Sequence, residues 1–82
     1  MNQDQEQDEE LLVHSFPRGE NDAIHFVLRK YKQRYYIDLR IWYRKDSPQL
    51  WPTRKGIVLP VEKLPELKRG LEELDKARVK MC

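Results

Sequence analysis

Basic and aromatic side chains are concentrated in one third of this 82-residue chain, residues 29–55. This basic aromatic segment holds nine lysines and arginines but only two acids, so its net charge is +7, although the whole chain carries +2. It also holds six of the eight aromatic residues: Tyr31, Tyr35, Tyr36, Trp42, Tyr43 and Trp51. Bases of a single nucleic-acid strand stack on protein rings, while lysines and arginines contact phosphates. The segment therefore indicates a surface that binds single-stranded nucleic acid.

The segment also has a purely structural explanation, which the residue types leave open. Tyr and Trp are common in β-strands, and the long stems of Lys and Arg often lie across apolar surface. A protein that binds duplex DNA needs the charge but not the rings, and more often places a helix in the major groove. Two other functions stay as alternatives: single-stranded RNA binding, and a protein-interaction module or transcription coregulator that uses its helix. No set of residues offers a code for reading bases, so little sequence specificity is predicted.

Four strand-like stretches followed by one helical stretch predict an α+β fold of four β-strands and one C-terminal helix. The predicted strands are residues 11–16, 23–31, 34–44 and 50–59. Turn formers occupy residues 17–22, and Lys32-Gln33 separates the second strand from the third. Pro52 and Gly56 predict a bulge or bend in the fourth strand.

The predicted helix spans residues 62–80, with Pro65 in its first turn, where a missing N–H costs little. Four leucines at spacings of three and four form a narrow apolar seam along it: Leu64, Leu67, Leu71 and Leu74. The seam has two compatible roles: it can cover one face of the sheet or meet its copy on a second chain. A chain of 82 residues has a marginal core of its own, which favours pairing of two copies.

The third predicted strand has two different faces, because successive side chains of a strand alternate. One set is apolar and is predicted to face the core: Tyr35, Ile37, Leu39, Ile41 and Tyr43. The other set mixes charges with large rings: Tyr36, Asp38, Arg40, Trp42 and Arg44. Because a buried face does not tolerate such charges, the second set is predicted to be open to solvent or to a ligand.

Residues that could carry catalysis or bind a metal show no arrangement that predicts an enzyme. His14 and His25 lie in different predicted strands, and Asp38 is expected to be an ion-pair partner or turn-side acceptor and not a general base. The sequence has no Gly-rich phosphate loop, nucleophile motif or metal-ligand spacing, so neither a cofactor nor a metal is predicted. The single cysteine, Cys82, is interpreted as a reduced thiol of an intracellular protein.

The first nine residues are polar and acidic, without an aromatic or branched aliphatic side chain. They predict a disordered acidic tail at residues 1–9, ahead of a single nucleic-acid-binding domain at residues 10–82. They lack the basic and apolar regions of a secretory signal. No apolar run approaches the roughly 20 residues that cross a bilayer, so no membrane partner is predicted.

Two stretches carry a family resemblance. They are Arg-Lys-Tyr-Lys-Gln-Arg-Tyr-Tyr-Ile-Asp-Leu-Arg-Ile-Trp-Tyr at residues 29–43 and Pro-Thr-Arg-Lys-Gly-Ile-Val-Leu at residues 52–59. Their most specific parts are Ile37-Asp38-Leu39-Arg40 and Arg54-Lys55-Gly56-Ile57. Around these two stretches, residues 11–80 resemble the C-terminal domain of the transcriptional coactivator called positive cofactor four.

The resemblance implies a curved four-stranded antiparallel sheet followed by a helix, in a homodimer built through helix 62–80 and the sheet. It implies binding of single-stranded DNA in support of transcription, replication or repair. The location would be the cytoplasm or nucleoid of a bacterium, or the nucleus of a eukaryote. The contact positions of the family fall here on Arg29, Tyr31, Lys32, Arg34, Arg40, Tyr43 and Lys55.

Arg54, beside Lys55, is a weaker candidate for a phosphate contact. Gln33 stands where the family often has Gly, so a different turn between the second and third strands is expected. In a regular strand Tyr43 has the opposite parity to Arg40. Either a bulge reorients Tyr43, or Trp42 stacks on the bases in its place, and Trp42 is therefore included in the predicted site. The rings are expected to stack on bases, and the basic residues to contact phosphates.

Overall fold

Four β-strands and one long helix follow one another in a computed structural model, which describes residues 8–81. The strands are β1 (Glu9–Pro17), β2 (Asp22–Tyr31), β3 (Arg34–Tyr43) and β4 (Trp51–Pro60). They form one antiparallel sheet in the order β1-β2-β3-β4. A short 3₁₀ helix (Val61–Lys63) leads into the helix α1 (Leu64–Met81). The predicted fold class, four antiparallel strands followed by a C-terminal helix, is confirmed.

The first strand starts two residues earlier than the hydrophobic pattern predicted, because its first two residues pair with basic residues of the second strand. Glu9 lies opposite Lys30 and Glu10 lies opposite Arg29 in the β1–β2 ladder. Opposite charges on neighbouring strands stabilise a sheet. Glu9, at the end of the predicted acidic tail, is thus part of the sheet. The tail prediction for residues 1–7, and the interpretation of Cys82, concern positions outside the described residues.

A two-residue turn, Lys32-Gln33, joins β2 to β3, as the sequence predicted. Both residues have positive φ, 52° for Lys32 and 68° for Gln33, which is typical of a type I′ hairpin turn. A residue with a Cβ is strained in this region because the Cβ crowds the backbone. Gln33 thus adopts a conformation that a glycine would adopt without strain.

Gln33→Gly is expected to stabilise the protein. It removes the Cβ strain, which outweighs both the more flexible unfolded chain and the loss of the interaction that Gln33 makes, and leaves a net gain of about 0.5 kcal/mol, or about 2–4 °C in Tm. Gln49→Gly is the matched control, because Gln49 lies in the β3–β4 loop and is not among the residues of positive φ. Thermal unfolding followed by circular dichroism would measure both variants, and equal Tm values for the two would contradict the prediction.

The ladders give the sheet two chemically different faces, because residues paired across neighbouring strands point to the same side. One side, the apolar face, carries rows of paired hydrophobic residues: Phe26 with Leu39 and Ile57, Leu28 with Ile37 and Leu59, and Ile24 with Ile41. The other side, the arginine face, carries three arginines among rings and small residues: His25 with Arg40 and Gly56, Arg29 with Tyr36, Tyr31 with Arg34, and Ala23 with Trp42. The predicted division of β3 into two faces is confirmed, but the expectation that Tyr35 and Tyr43 face a core was wrong, because both side chains are exposed.

The most buried side chain among the described residues is a charged one, Asp38, with 2% of its surface exposed. It lies on the arginine face opposite Val27, which is also buried. The expectation that this face would bury no charge was therefore wrong at Asp38. Its burial is tolerated because the guanidinium groups of Arg29 and Arg40 contact the carboxylate and replace its lost hydration with ion pairs.

Helix α1 does not cover the sheet in a single chain. Leu64, Leu67 and Leu71 border an open groove against the apolar face, and no residue of α1 is buried. Leu71 and Leu74 keep 53% and 66% of their surface exposed. The chain exposes 7156 Å², whereas a compact chain of this mass exposes about 5200 Å². Covering the sheet is therefore not the sole role of the leucine seam, which stays largely unburied.

Candidate nucleic-acid interface

A carboxylate on the arginine face holds two of the predicted nucleic-acid contacts. Asp38 Oδ2 accepts a hydrogen bond from Arg29 Nε at 2.7 Å, and Asp38 Oδ1 accepts one from Arg40 Nε at 3.0 Å. The hydrogen bond to Asp38 raises the pKa of the Arg29 guanidinium, and partial burial opposes the rise. Both arginines are therefore held in a fixed orientation, and Asp38 is confirmed as an ion-pair partner.

The backbone of β4 comes very close to β3 beside Arg40. A Cβ placed on Gly56 would lie 2.7 Å from the carbonyl oxygen of Leu39 and 3.0 Å from the Cα of Arg40, so only glycine fits there. Arg40 Nη1 also donates a hydrogen bond of 2.9 Å to the carbonyl oxygen of Thr53 on β4. The Arg40 guanidinium is thus held by Asp38 of its own strand and by the neighbouring strand β4, which leaves it few alternative rotamers.

A bulge in β4 sets the position of two basic residues. Around Ile41, β3 advances by two residues between paired positions, whereas β4 advances by four. Thr53 closes the bulge, because its Oγ1 donates to the Ile41 carbonyl oxygen at 2.7 Å and accepts from the Lys55 backbone N–H at 3.1 Å. Arg54 and Lys55 are exposed in this bulge. The irregularity predicted for the fourth strand is confirmed.

Trp42 shares the arginine face with Arg40. The β2–β3 ladder has no register shift, so β3 keeps its regular alternation throughout. The Trp42 ring stacks on His25, with ring centroids 4.6 Å apart and planes inclined by 19°. Packing against a neighbouring ring holds the indole in place while leaving it half-exposed.

Tyr43 lies on the other side of the sheet, where it pairs with Asp22 of β2 and Trp51 of β4. The bulge does not change this, because its extra residues lie in β4 and not in β3. Tyr43 is exposed, but the fold does not bring it together with Arg40. Of the two rings that the sequence left in competition, Trp42 is the one on the same face as the arginines.

Three more of the predicted site residues meet at the β2–β3 turn. Tyr31 lies opposite Arg34 on the arginine face. Lys32 Nζ is 5.4 Å from the centroid of the Tyr31 ring, within the range of a cation–π interaction. All three side chains are exposed. This end of the face therefore presents one ring between two cations.

The basic residues of the site differ in whether a carboxylate already neutralises their charge. Four exposed basic residues of the predicted site form no ion pair within residues 8–81: Lys32, Arg34, Arg54 and Lys55. Arg29 and Arg40, in contrast, share the charge of Asp38. Arg44 has a structural role, because its guanidinium donates to the carbonyl oxygens of Glu20 and Pro48 and so links two loops.

The arginine face is long enough for several nucleotides. Trp42 lies opposite Ala23, which is eight residues before Tyr31 on β2, so Trp42 and Tyr31 mark points about 27 Å apart. Phosphates of a stacked strand recur about every 3.4 Å. The distance between the two rings therefore corresponds to about eight stacked nucleotides, and to fewer in an extended strand.

The predicted site left out four residues that shape this face, although strand alternation had already placed Tyr36 on it: Glu10, His25, Tyr36 and Thr53. The cross-strand partners of two of them, His25 and Tyr36, follow from the length of the β2–β3 turn. A two-residue turn at 32–33 makes Arg29 pair with Tyr36, and Arg40 pair with His25. That register was available from the sequence once the turn was identified. The partnership of Glu10 required the start of β1, which the hydrophobic pattern did not mark.

Metal ligands and membrane spans were also sought in the described part of the chain. Within residues 8–81, no group of three or more His, Cys, Asp or Glu side chains could hold a metal ion. The same residues contain no helix that is both long and apolar enough to cross a membrane.

The fold and the site define a small open β-sheet protein with one face of cations and rings and a C-terminal helix. The profile of the family described as Transcriptional Coactivator p15 (PC4) matches residues 20–70. This chain belongs to the PC4 family. The family is one of DNA-binding, non-enzymatic coactivators.

Among solved structures, the chain is similar to the bacteriophage T5 homolog of the eukaryotic transcription coactivator PC4, a protein implicated in recombination-dependent DNA replication. The TM-score is 0.62 at 17% sequence identity, over 88% of this chain and 82% of the phage chain. Similarity at this level of identity shows that the two share a fold. A search of curated proteins found no match.

Proposed function

We propose that this protein binds single-stranded DNA with little sequence specificity, as a homodimer, and thereby supports transcription, replication or repair. The observation that carries the proposal is the composition of the arginine face, where cations and exposed rings occur together on one side of the sheet. Duplex DNA hides the flat faces of its nucleobases, so exposed rings beside cations favour a protein that binds single strands.

Stacking is assigned to Tyr31 and Trp42. The Tyr31 ring is exposed at the turn between Lys32 and Arg34, so a base on the ring would have cations near its phosphates. The Trp42 indole is held against His25 and can accept a base without first being ordered. Each stacked base is worth about 1–3 kcal/mol and tolerates any sequence, because every base has a π-face.

Phosphate contacts are assigned to five basic residues on and beside this face: Lys32, Arg34, Arg40, Arg54 and Lys55. Arg29, which is paired with both Asp38 and Glu10, is kept as a nucleic-acid contact but is not assigned to a phosphate. Tyr43, on the opposite side of the sheet, is kept as a contact only if the strand wraps around the β4 edge. Rings and cations alone do not distinguish DNA from RNA. Membership of a DNA-binding family favours DNA.

The homodimer is supported by the surface that a single chain leaves unburied. The apolar face and the leucine seam lie on the side of the sheet opposite the arginine face. Leu71 and Leu74 are exposed hydrophobic residues of that seam. A second copy would bury both features, and the two arginine faces would stay open to nucleic acid.

Titration with an oligothymidine, followed by tryptophan fluorescence, tests the function. With about five phosphate contacts, raising the salt from about 50 mM to 200 mM should weaken binding about 100-fold, because fewer counterions are released. A duplex of equal length should bind more weakly than the single strand. Salt-insensitive binding, or a preference for the duplex, would contradict the proposal, and tighter binding to an RNA strand would replace DNA by RNA.

A matched pair of triple variants locates the surface. Lys32→Ala, Arg34→Ala and Lys55→Ala together remove three basic side chains that form no ion pair from the proposed site. The control removes the same side-chain types from the helical region: Lys63→Ala, Arg69→Ala and Lys80→Ala. The first triple should greatly weaken binding and flatten its salt dependence, whereas the control should retain most of the wild-type affinity.

A further inference from the structure

A cavity of about 280 Å³ opens on the arginine face beside the β2–β3 turn. Tyr31, Tyr36 and Val58 give it flat and apolar walls, and Arg29 and Glu10 lie at its edge. Tyr36 also lines a second cavity, with Arg34 and Pro60, on its other side. Rings and an aliphatic wall are suited to the flat face of a nucleobase, which stacks on such side chains.

The edge of the cavity places a hydrogen-bond acceptor next to a donor. The Glu10 carboxylate accepts a hydrogen bond from Arg29 Nη1, and Arg29 Nε is held at 2.7 Å from Asp38. The β1–β2 register fixes this arrangement, because Glu10 and Arg29 are cross-strand partners. The second Glu10 oxygen and the remaining Arg29 N–H groups can therefore meet a ligand side by side.

The charges at this edge favour a base over a phosphate. Arg29 has two carboxylate partners, Asp38 and Glu10, and the cluster that these three residues form with Arg40 has no net charge. A phosphate here would meet the Glu10 carboxylate, whereas unpaired cations are available nearby at Lys32 and Arg34. An uncharged group with both donors and acceptors fits the cavity better.

We propose that this cavity is a nucleobase subsite, in which Glu10 and Arg29 favour bases with an exocyclic amino group over thymine. The amino N–H of cytosine or adenine donates to Glu10, as carboxylates accept from the cytosine amino group elsewhere. The neighbouring ring nitrogen of the same base accepts from Arg29. Thymine can donate its ring N–H to Glu10 and accept from Arg29 at one carbonyl oxygen, but its second carbonyl oxygen then lies beside the Glu10 carboxylate and is repelled by it. The subsite rests on the proposed binding of single strands and gives that binding a bias in base composition.

Oligodeoxycytidine and oligothymidine of equal length, at mildly alkaline pH where cytosine is neutral, measure the bias. The wild-type protein is expected to bind the cytosine strand about five- to tenfold more tightly. Glu10→Gln removes the charge that repels the second thymine carbonyl oxygen and should bring the ratio of the two affinities close to one. Glu20→Gln is the control, because it makes the same charge change in the β1–β2 loop, and it should keep the wild-type ratio.

The outcomes separate this inference from the proposed function. An affinity ratio that is the same in wild type and Glu10→Gln would overturn the subsite and leave single-strand binding intact. An equal gain in affinity for both strands in Glu10→Gln would also overturn it, because Glu10 would then only compete with phosphates for Arg29. Failure of the wild-type protein to bind either strand would overturn the proposed function itself, and the subsite with it.

Discussion

Asp38→Asn is expected to lower the free energy of unfolding by about 3–5 kcal/mol. The amide has the size of the carboxylate but not its charge, so Arg40 would keep a partly buried charge without a counter-ion, and Arg29 would keep only the exposed carboxylate of Glu10. A small protein has only about 5–15 kcal/mol of stability, so this loss would bring it close to unfolding. Urea unfolding, followed by tryptophan fluorescence at one fixed protein concentration, measures the change.

Asp75→Asn is the matched control for this experiment. Asp75 makes the same kind of contact, with Arg78 at 2.6 Å, but both side chains of that pair are 68% exposed on the helix. Exposed pairs contribute about 0–1 kcal/mol, so the control should differ little from wild type. If Asp38→Asn were as stable as Asp75→Asn, water and not the Asp38 carboxylate would be stabilising the charges of the two arginines. The stability of the arginine face would then need another explanation.

Leu71→Asp is expected to convert the proposed homodimer into monomers. A carboxylate in the leucine seam would have to lose its hydration to enter an apolar interface, and a cost of about 3 kcal/mol weakens association about 100-fold. Sedimentation over a range of protein concentrations would show the dissociation as a fall to half the wild-type mass. Far-UV circular dichroism of the same samples would show whether the separated chains keep their helix.

Val79→Asp provides the comparison within the same helix. Val79 is 69% exposed in the single chain, similar to Leu74, but it lies on a different side of α1 from the seam. Its variant should therefore stay dimeric. If both variants, or neither, became monomeric, the seam would not be the specific contact between the two copies. A monomeric wild-type protein would remove the homodimer from the proposed function.

The two experiments address opposite sides of one thin sheet. Asp38 orients charged groups on the arginine face, and the leucine seam lies on the side of the apolar face. Because β-strand side chains alternate, one sheet can present a binding surface and an association surface without any residue serving both. In the proposed homodimer, the association surface would supply the core that a single chain of this length lacks.

The positions of the strands and the helix were largely predictable because they follow from local patterns. Alternating residues marked β2 and β3, and the leucine spacing marked α1 to within two residues at its start. The start of β1 was missed because Glu9 and Glu10 are not hydrophobic, and their strand conformation comes from pairing with Lys30 and Arg29. Pairing partners lie about twenty residues away and leave no local signal.

By itself, the amino-acid sequence determined the chemistry of this protein: a strongly basic segment with most of the rings, four strands and a helix with a leucine seam. Only the tertiary structure decided which of those side chains meet. Regular β2–β3 pairing kept Trp42 with Arg40 and Tyr43 on the other side, where a bulge in β3 could have reoriented Tyr43. The arginines of β2 and β3 turned Asp38 from an expected exposed charge into the most buried side chain among the described residues. The physical reason is that residue types are local properties, whereas burial and charge compensation depend on neighbours that come from other strands.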